Sequence, residues 1–248
     1  MQIVQTQFTV DQLILKGELF LPDTPRPPVV VGSHGLEGSR FSAKQQVLSR
    51  LLPENGMAFF RFDHRGCGDS QGDFMWETSL EKRTRDFLAA VAHVKDLNKT
   101  GPQLGVFGSS MGGATCINAW QTLENSFGRL GGGVLCAAPL KSRTIHNIPT
   151  RATATRPALP LAFFEKNLLF DLTDKALALH HVLIFHGDAD RIVPVENARN
   201  LLETIQPPKH GIIQKHGDHP MSSPRDQAEF ETKALAWFMQ IFHRSDTA

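Results

Sequence analysis

The chain of 248 residues sets 26 Lys and Arg against 25 Asp and Glu, a formal net charge of +1, with 41% hydrophobic and 21% charged residues. Those proportions describe a globular chain with a sizeable core. They exclude a disordered segment and a basic surface built for nucleic acid or an anionic membrane, and no run of about eighteen apolar residues proposes a transmembrane helix.

The opening MQIVQTQFTVDQLIL has no basic stretch leading into a long apolar one, so no secretory leader is expected. Cys67, Cys116 and Cys136 form no CxxC pair, which fits free thiols in a reducing, cytoplasmic setting better than a disulfide framework or a zinc site. Gln7 to Val10 and Leu13 to Leu21 read as two short strands around a tight turn, and Pro25, Pro27 and Pro28 as a stiff connector. Val29 to Val31 is a β-branched run suited to a buried parallel strand. Helices are expected over Phe41 to Glu54, closed by Gly56, and over Ser79 to Leu97, with a strand from Met57 to Phe62 between them. Strand Gln103 to Phe107, helix Met111 to Leu123 and a glycine-rich strand from Leu130 to Ala138 follow. The last elements are strand His181 to Phe185, helix Val195 to Ile205, strand Gly211 to Lys215 and helix Arg225 to Phe242. This alternation predicts a single α/β domain over residues 1–248, with a mostly parallel central sheet and helices on both faces.

Pro139 to His180 breaks the rhythm. It holds four prolines, Arg143, Arg151 and Arg156, and an apolar cluster of Leu161, Phe163, Phe164, Leu168, Leu169 and Phe170. Too long for an ordinary connection, it is expected to be a short lid insertion over the sheet's active edge. Ligands of such sheets lie beyond the carboxyl ends of the strands, where every motif below falls.

Gly108-Ser109-Ser110-Met111-Gly112 is a G-x-S-x-G segment between a predicted strand and a predicted helix. A serine hydroxyl becomes a useful nucleophile once it is exposed, oriented and paired with a base, and a sharp strand-to-helix turn exposes it. The plain alternative is a helix-capping serine in a glycine-rich turn. Ser110 is the expected nucleophile, while Ser109 is expected to point away from the pocket. The N–H of Met111, at a helix start, is an expected oxyanion donor.

Two acids compete in His186-Gly187-Asp188-Ala189-Asp190-Arg191-Ile192-Val193-Pro194. Asp190 is favoured because Ile192 and Val193 anchor its turn, leaving Asp188 to serve the turn through its own backbone bonds. Cys136 to Lys141, after the preceding strand, offers no carboxylate. In Lys215-His216-Gly217-Asp218-His219, His219 is the expected base and His216 is read as structural, giving the chain order Ser, Asp, His. His34, His64 and His186 sit at strand ends as satisfied structural groups. His34-Gly35-Leu36-Glu37-Gly38 supplies the second expected oxyanion donor, the N–H of Leu36. Asp63 to Gly72 reads as a self-hydrogen-bonded loop beside the site, and Cys67 within it as structural. No metal-ligand spacing and no nucleotide-binding glycine pattern occurs, so no cofactor is expected.

HGLEG (34–38), DHRGCGDSQG (63–72), GSSMGG (108–113), HGDADRIVP (186–194) and GDH (217–219) together resemble the α/β-hydrolase superfamily, in family order along most of the chain. Within it the chain is most similar to small bacterial serine esterases of the feruloyl-esterase type, whose relatives include monoacylglycerol-lipase-like and serine aminopeptidase-type hydrolases. The resemblance implies an α/β-hydrolase fold, a Ser110-Asp190-His219 triad, oxyanion donors at Leu36 and Met111, and cleavage of a carboxylic ester through an acyl-enzyme. A small-molecule ester is the expected partner, with no nucleic acid and no membrane span; the oligomeric state is not legible. Met75, Trp76, Phe163 and Phe164 are the expected substrate-binding residues, the alternative being that they pack against the sheet edge. A peptidase or thioesterase would use the same triad, and a binding module on this fold would use none of it.

Overall fold

A computed structural model describes residues 1–146, 150–152 and 158–243. The first half runs β1 (Gln2–Val10), β2 (Leu13–Leu21), β3 (Val29–Ser33), α1 (Ala43–Glu54), β4 (Ala58–Phe62), α2 (Phe74–Glu77), α3 (Leu80–Asp96), β5 (Leu104–Ser109) and α4 (Met111–Phe127). The second half runs β6 (Gly132–Cys136), α5 (Leu161–Asn167), α6 (Thr173–Ala176), β7 (Val182–Gly187), α7 (Glu196–Thr204), β8 (Lys209–Gln214) and α8 (Pro224–His243). The eight strands form one sheet in the order β1-β2-β4-β3-β5-β6-β7-β8. β1 pairs antiparallel with β2, and β2 with β4; every other pairing is parallel. The mostly parallel sheet expected from the alternation is therefore the sheet observed.

Two apolar layers hold the helices to it. Because side chains alternate across a strand, one layer sets Val29 and Val31 of β3 and Ile184 of β7 against α3, α4 and α7, whose Phe87, Val91, Trp120 and Leu201 belong to the same apolar cluster. Val30, Phe59, Phe107 and Phe185 meet α1 and α8 through Leu48, Leu52, Phe230 and Phe238. Strands buried on both faces need apolar residues in succession, which is why β3 and β7 read as unbroken hydrophobic runs. β1 begins at Gln2, five residues earlier than expected; its N-terminal half alternates exposed and half-buried residues at the sheet's edge, so its hydrophobic signal is weak.

Between β6 and β7 lie a 3-10 turn at Ser142–Thr144, α5 and α6, none of which was expected from the sequence as an element. The segment is tied down at its ends: Lys141 and Asp171 form an isolated antiparallel bridge, and Asn197 on α7 accepts the N–H groups of Leu140 and Lys141 at 3.0 and 3.2 Å. Among the described residues no helix is long and apolar enough to cross a membrane.

Candidate active site

The strand-to-helix turn after β5 is a single residue. Ser110 has φ 53° and ψ −122°, outside the usual region for a residue with a side chain. The turn is locked by the N–H of Ser110 donating to Cys136 O at 2.8 Å, and by its own carbonyl accepting from Gly113 N–H at 2.8 Å. Nothing larger than glycine fits around it. A Cβ at Gly108 would stand 2.6 Å from Gly112 O, and one at Gly112 would stand 2.0 Å from Ser33 O.

Asp190 follows β7. Its Oδ1 accepts the N–H groups of Ile192 and Val193 at 2.8 and 2.9 Å, so the carboxylate is fixed by the turn it opens. Oδ2 then faces His219 Nδ1 at 2.7 Å, and His219 Nε2 faces Ser110 Oγ at 3.0 Å. A carboxylate only accepts, so Nδ1 carries the proton and neutral His219 presents a bare Nε2 to the serine O–H. Burial works against the charge on Asp190, but hydrogen bonds from His186 and His219, and the electrostatic influence of the His219 imidazole, outweigh it and hold its carboxyl well below the usual range.

Asp188 does something other than bond to its own turn. It is exposed, and its Oδ1 accepts the N–H of His216 at 2.5 Å, tying the loop after β7 to the loop after β8. The two loops also touch through backbone: Ala189 N–H donates to Gly217 O at 3.0 Å, and a Cβ at Gly187 would stand 2.1 Å from that oxygen. His216 is exposed in a positive-φ turn, and His186 donates to Val193 O at 2.7 Å.

The loop after β3 lies against the serine, since a Cβ at Gly35 would be 3.6 Å from Ser110 Cβ. Beneath it is a buried polar network. Arg83 on α3 donates to His34 O and Gly35 O, His34 Nδ1 to Gly35 O at 2.7 Å, and His64 N–H to His34 Nε2 at 3.1 Å. Asp86, also on α3, is held by Arg65 Nε at 2.8 Å, and the Ser33 hydroxyl meets His64 Nε2 at 2.8 Å. With carbonyls 34 and 35 drawn toward Arg83, the loop's next N–H belongs to Leu36. Met111 is the first residue of α4, where a backbone N–H has no intrahelical acceptor. Loop 63–72 bonds to itself as expected, with Ser70 Oγ donating to Asp63 O and Asp69 N–H to Asp63 Oδ2 at 2.7 and 3.0 Å. Cys67, Cys116 and Cys136 are buried and free; burial raises the Cys67 thiol and pushes Cys136 up to about 12.

A cavity of about 650 Å³ opens over Ser110, Leu36, Met111 and His219. Its far wall comes from the stretch between β6 and β7, chiefly Leu161, Phe164, Leu168, Leu169 and Phe170. Of the four residues expected to bind substrate, Phe164 lines this cavity and three do not. Phe163, its neighbour on α5, turns to the core and stacks on Phe74 with ring centroids 5.8 Å apart; residues one step apart on a helix face different ways. Met75 packs half-buried on the core, and Trp76 on the one-turn helix α2 is 79% exposed. Ser109 also departs from expectation, for it lines the cavity beside Ser110. Arg143 is in the lining, Arg151 is exposed, and Arg156 lies outside the described residues. Gln45 and Ile145 line the cavity without having been singled out in the sequence.

Residues 24–171 match the family model described as serine aminopeptidase, S33. The thiohydrolase AneE of Aspergillus aculeatus is 32% identical over 116 residues, covering 45% of this chain and 35% of that protein. The Escherichia coli protein YfhR is 28% identical over 210 residues, covering 81% of this chain and 67% of that one. The chain thus spans about a third of the first relative's length and two thirds of the second's. Among solved structures, the ferulic acid complex of Est1E from Butyrivibrio proteoclasticus superposes with a TM-score of 0.78 at 23% identity, covering 95% of this chain and 98% of that one. The Pyrococcus furiosus esterase Pf2001 does so with 0.78 at 18% identity, covering 96% and 92%, and both likenesses are of fold. The chain belongs to the serine aminopeptidase S33 family of α/β hydrolases.

Proposed function

We propose that this hydrolase cleaves carboxylic esters by a Ser110-His219-Asp190 triad and a covalent acyl-enzyme. The observation that carries the reading is the pair of contacts, 3.0 Å from Ser110 Oγ to His219 Nε2 and 2.7 Å from His219 Nδ1 to Asp190 Oδ2, at the head of a largely apolar cavity. As Ser110 Oγ attacks the carbonyl carbon, its proton passes to His219 Nε2. Asp190 holds the imidazole in the tautomer that can accept it and stabilises the imidazolium that results. The N–H groups of Leu36 and Met111 receive the negative charge on the carbonyl oxygen. His219 then protonates the leaving alcohol, and water, activated by the same imidazole, releases the acid. In this reading the described residues of 139–180 act as a cap whose apolar side chains enclose the substrate, and Leu168, Leu169 and Phe170 take the place assigned from sequence to Met75 and Trp76.

A thioester is the second reading, favoured by the AneE match and by a match to the rat palmitoyl-protein thioesterase ABHD10, 26% identical over 219 residues. Fluorophosphonate labelling tests the shared mechanism: the wild type labels at Ser110, and Ser110→Ala neither labels nor turns over any ester while melting at the same temperature. Labelling of the alanine variant overturns the mechanism. Wild-type rates on p-nitrophenyl esters, acyl-CoA thioesters and aminoacyl amides then separate ester, thioester and peptide substrates.

A further inference from the structure

Gln45 is an oddity in the cavity wall. It is 1% exposed, yet neither its Oε1 nor its Nε2 has a hydrogen-bond partner. Leaving a buried carboxamide unpaired is costly, and an apolar side chain of the same shape would carry no such penalty. The backbone opposite makes room for it: a Cβ at Gly32 would stand 2.4 Å from Gln45 Oε1. Gln45 occupies the core-facing row of α1 with Leu48 and Leu52, where an apolar residue is the rule.

The surroundings define a side arm of the cavity. Phe107 belongs to the apolar layer between the sheet and α1 and α8, and Ser109, two residues on along β5, faces the same way. Both line the cavity together with Gln45. The cavity therefore reaches the α1 side of the sheet, where Phe107, Ser109, Ser42 and Gln45 form its wall; the unpaired Gln45 carboxamide lies at the closed end, packed over Gly32. The entrance to this arm is next to Ser110 in the chain. Lys44, also in the lining, is engaged elsewhere, its Nζ donating to Pro220 O at 2.9 Å.

Resting on the ester-hydrolase reading above, we infer that this arm is a specificity subsite for an uncharged hydroxyl carried by the substrate near its scissile carbonyl. A carboxamide gives one donor face and one acceptor face, and a hydroxyl, which both donates and accepts, satisfies it in a space that excludes bulk solvent. The substrate class is thus a hydroxylated ester, with an apolar remainder in the cap-lined part of the cavity. The hydroxyl sits either on the acyl chain or on the leaving alcohol.

The test is a ratio of kcat/KM values for matched pairs, measured on the wild type, Gln45→Met and Gln45→Leu. One pair is p-nitrophenyl butyrate against its 2-, 3- and 4-hydroxy derivatives, which reads the acyl side. The other is propyl butyrate against 2-hydroxyethyl butyrate, which reads the alcohol side. The wild type is expected to prefer the hydroxylated member of one pair by about ten- to a hundredfold, and both variants to lose that preference. Both variants are also expected to melt at or above the wild-type temperature, because each replaces an unpaired buried amide with hydrocarbon; a structural glutamine would give the reverse. A ratio equal in wild type and variants for both pairs overturns the inference. So does a preference for butane-1,4-dioate monoesters, which would hand the arm to Lys44. Fluorophosphonate labelling of the same samples keeps the two levels apart: a labelled enzyme with unchanged ratios sinks only the subsite, whereas an enzyme that neither labels nor turns over sinks the ester-hydrolase reading as well.

Discussion

The carboxylate of Asp190 is completely buried, and it stays ionised because it accepts two turn N–H groups and the His219 imidazole, with His186 Nε2 a further 3.4 Å neighbour. Asp188, two residues earlier, is exposed and engaged only with a backbone N–H of the next loop. If Asp190 sets the tautomer of His219, Asp190→Asn should cut kcat on a p-nitrophenyl ester by about 10³- to 10⁴-fold with KM nearly unchanged, since the amide can present an N–H where an acceptor is needed. Asp188→Ala removes a loop tie and should cost less than about tenfold, the scale of one surface hydrogen bond. Steady-state kinetics on the two variants check the order, and equal losses would remove the distinction between the two acids. At the turn itself, Gly112→Ala would push a methyl group against Ser33 O, at the end of the strand that leads into the loop carrying Leu36. The expected result is a protein destabilised by at least about 2 kcal/mol in urea unfolding, the scale of overpacking a closed interior.

Helix α3 shows where sequence reading reaches and where it stops. Its extent was legible to within one residue at each end, because Leu80, Phe87, Val91 and Val94 recur at helical spacing and Ser79 caps the start. The same stripe contains Arg83 and Asp86, both buried, and a charge in an apolar row is itself a signal, though one that does not say what the charge holds. Ser110, Asp190 and His219, the residues of the proposed triad, could be singled out because each falls in a short loop after a strand, where the turn chemistry fixes the side chain. Cavity residues were not, because they come from elements whose mutual orientation no local pattern encodes. Phe163 and Phe164 are indistinguishable by composition and are separated only by the rotation of α5. Gln45 could have been flagged by the rule that exposes Arg83, as the polar member of the row continued by Leu48 and Leu52. Arg83 gives this element its test. Its guanidinium holds the carbonyls of residues 34 and 35, so, if Leu36 is an oxyanion donor as proposed, Arg83→Met should release its loop, lowering kcat by about tenfold or more while leaving fluorophosphonate labelling detectable. Arg83→Lys, able to reach one carbonyl, should fall between, and an Arg83→Met enzyme with wild-type kcat would separate this network from the chemistry.

On the scale of the whole molecule, the polar layer under the loop after β3 sets how stability follows pH. His34 and His64 are fully enclosed. Burial and the nearby positive charge of Arg83 hold both well below the usual histidine range, with Arg65 adding to the effect at His64. His93, against β1, is lowered in the same direction, mainly by burial. In the unfolded chain all three titrate near about pH 6.5. Below that value the unfolded state binds protons that the folded state refuses, so stability is greatest above it and falls as the pH drops. His34 and His64 each contribute a slope approaching about 1.4 kcal/mol per pH unit once the unfolded side chain is mostly protonated, and the half-buried His93 adds in the same direction. Asp190 acts in a separate window: its lowered folded value adds stability above about pH 4 that is lost below it, so between pH 7 and 5 the histidines govern. Urea unfolding from pH 7.5 down to pH 5 should therefore show stability falling across the lower part of that range. His64→Gln, which keeps a polar side chain beside Ser33 without a titrating group, should flatten the fall by the equivalent of one proton. A wild-type stability that is constant or rises toward pH 5 would mean that these imidazoles take up protons in place, and the neutral clamp beneath the active-site loop would have to be abandoned.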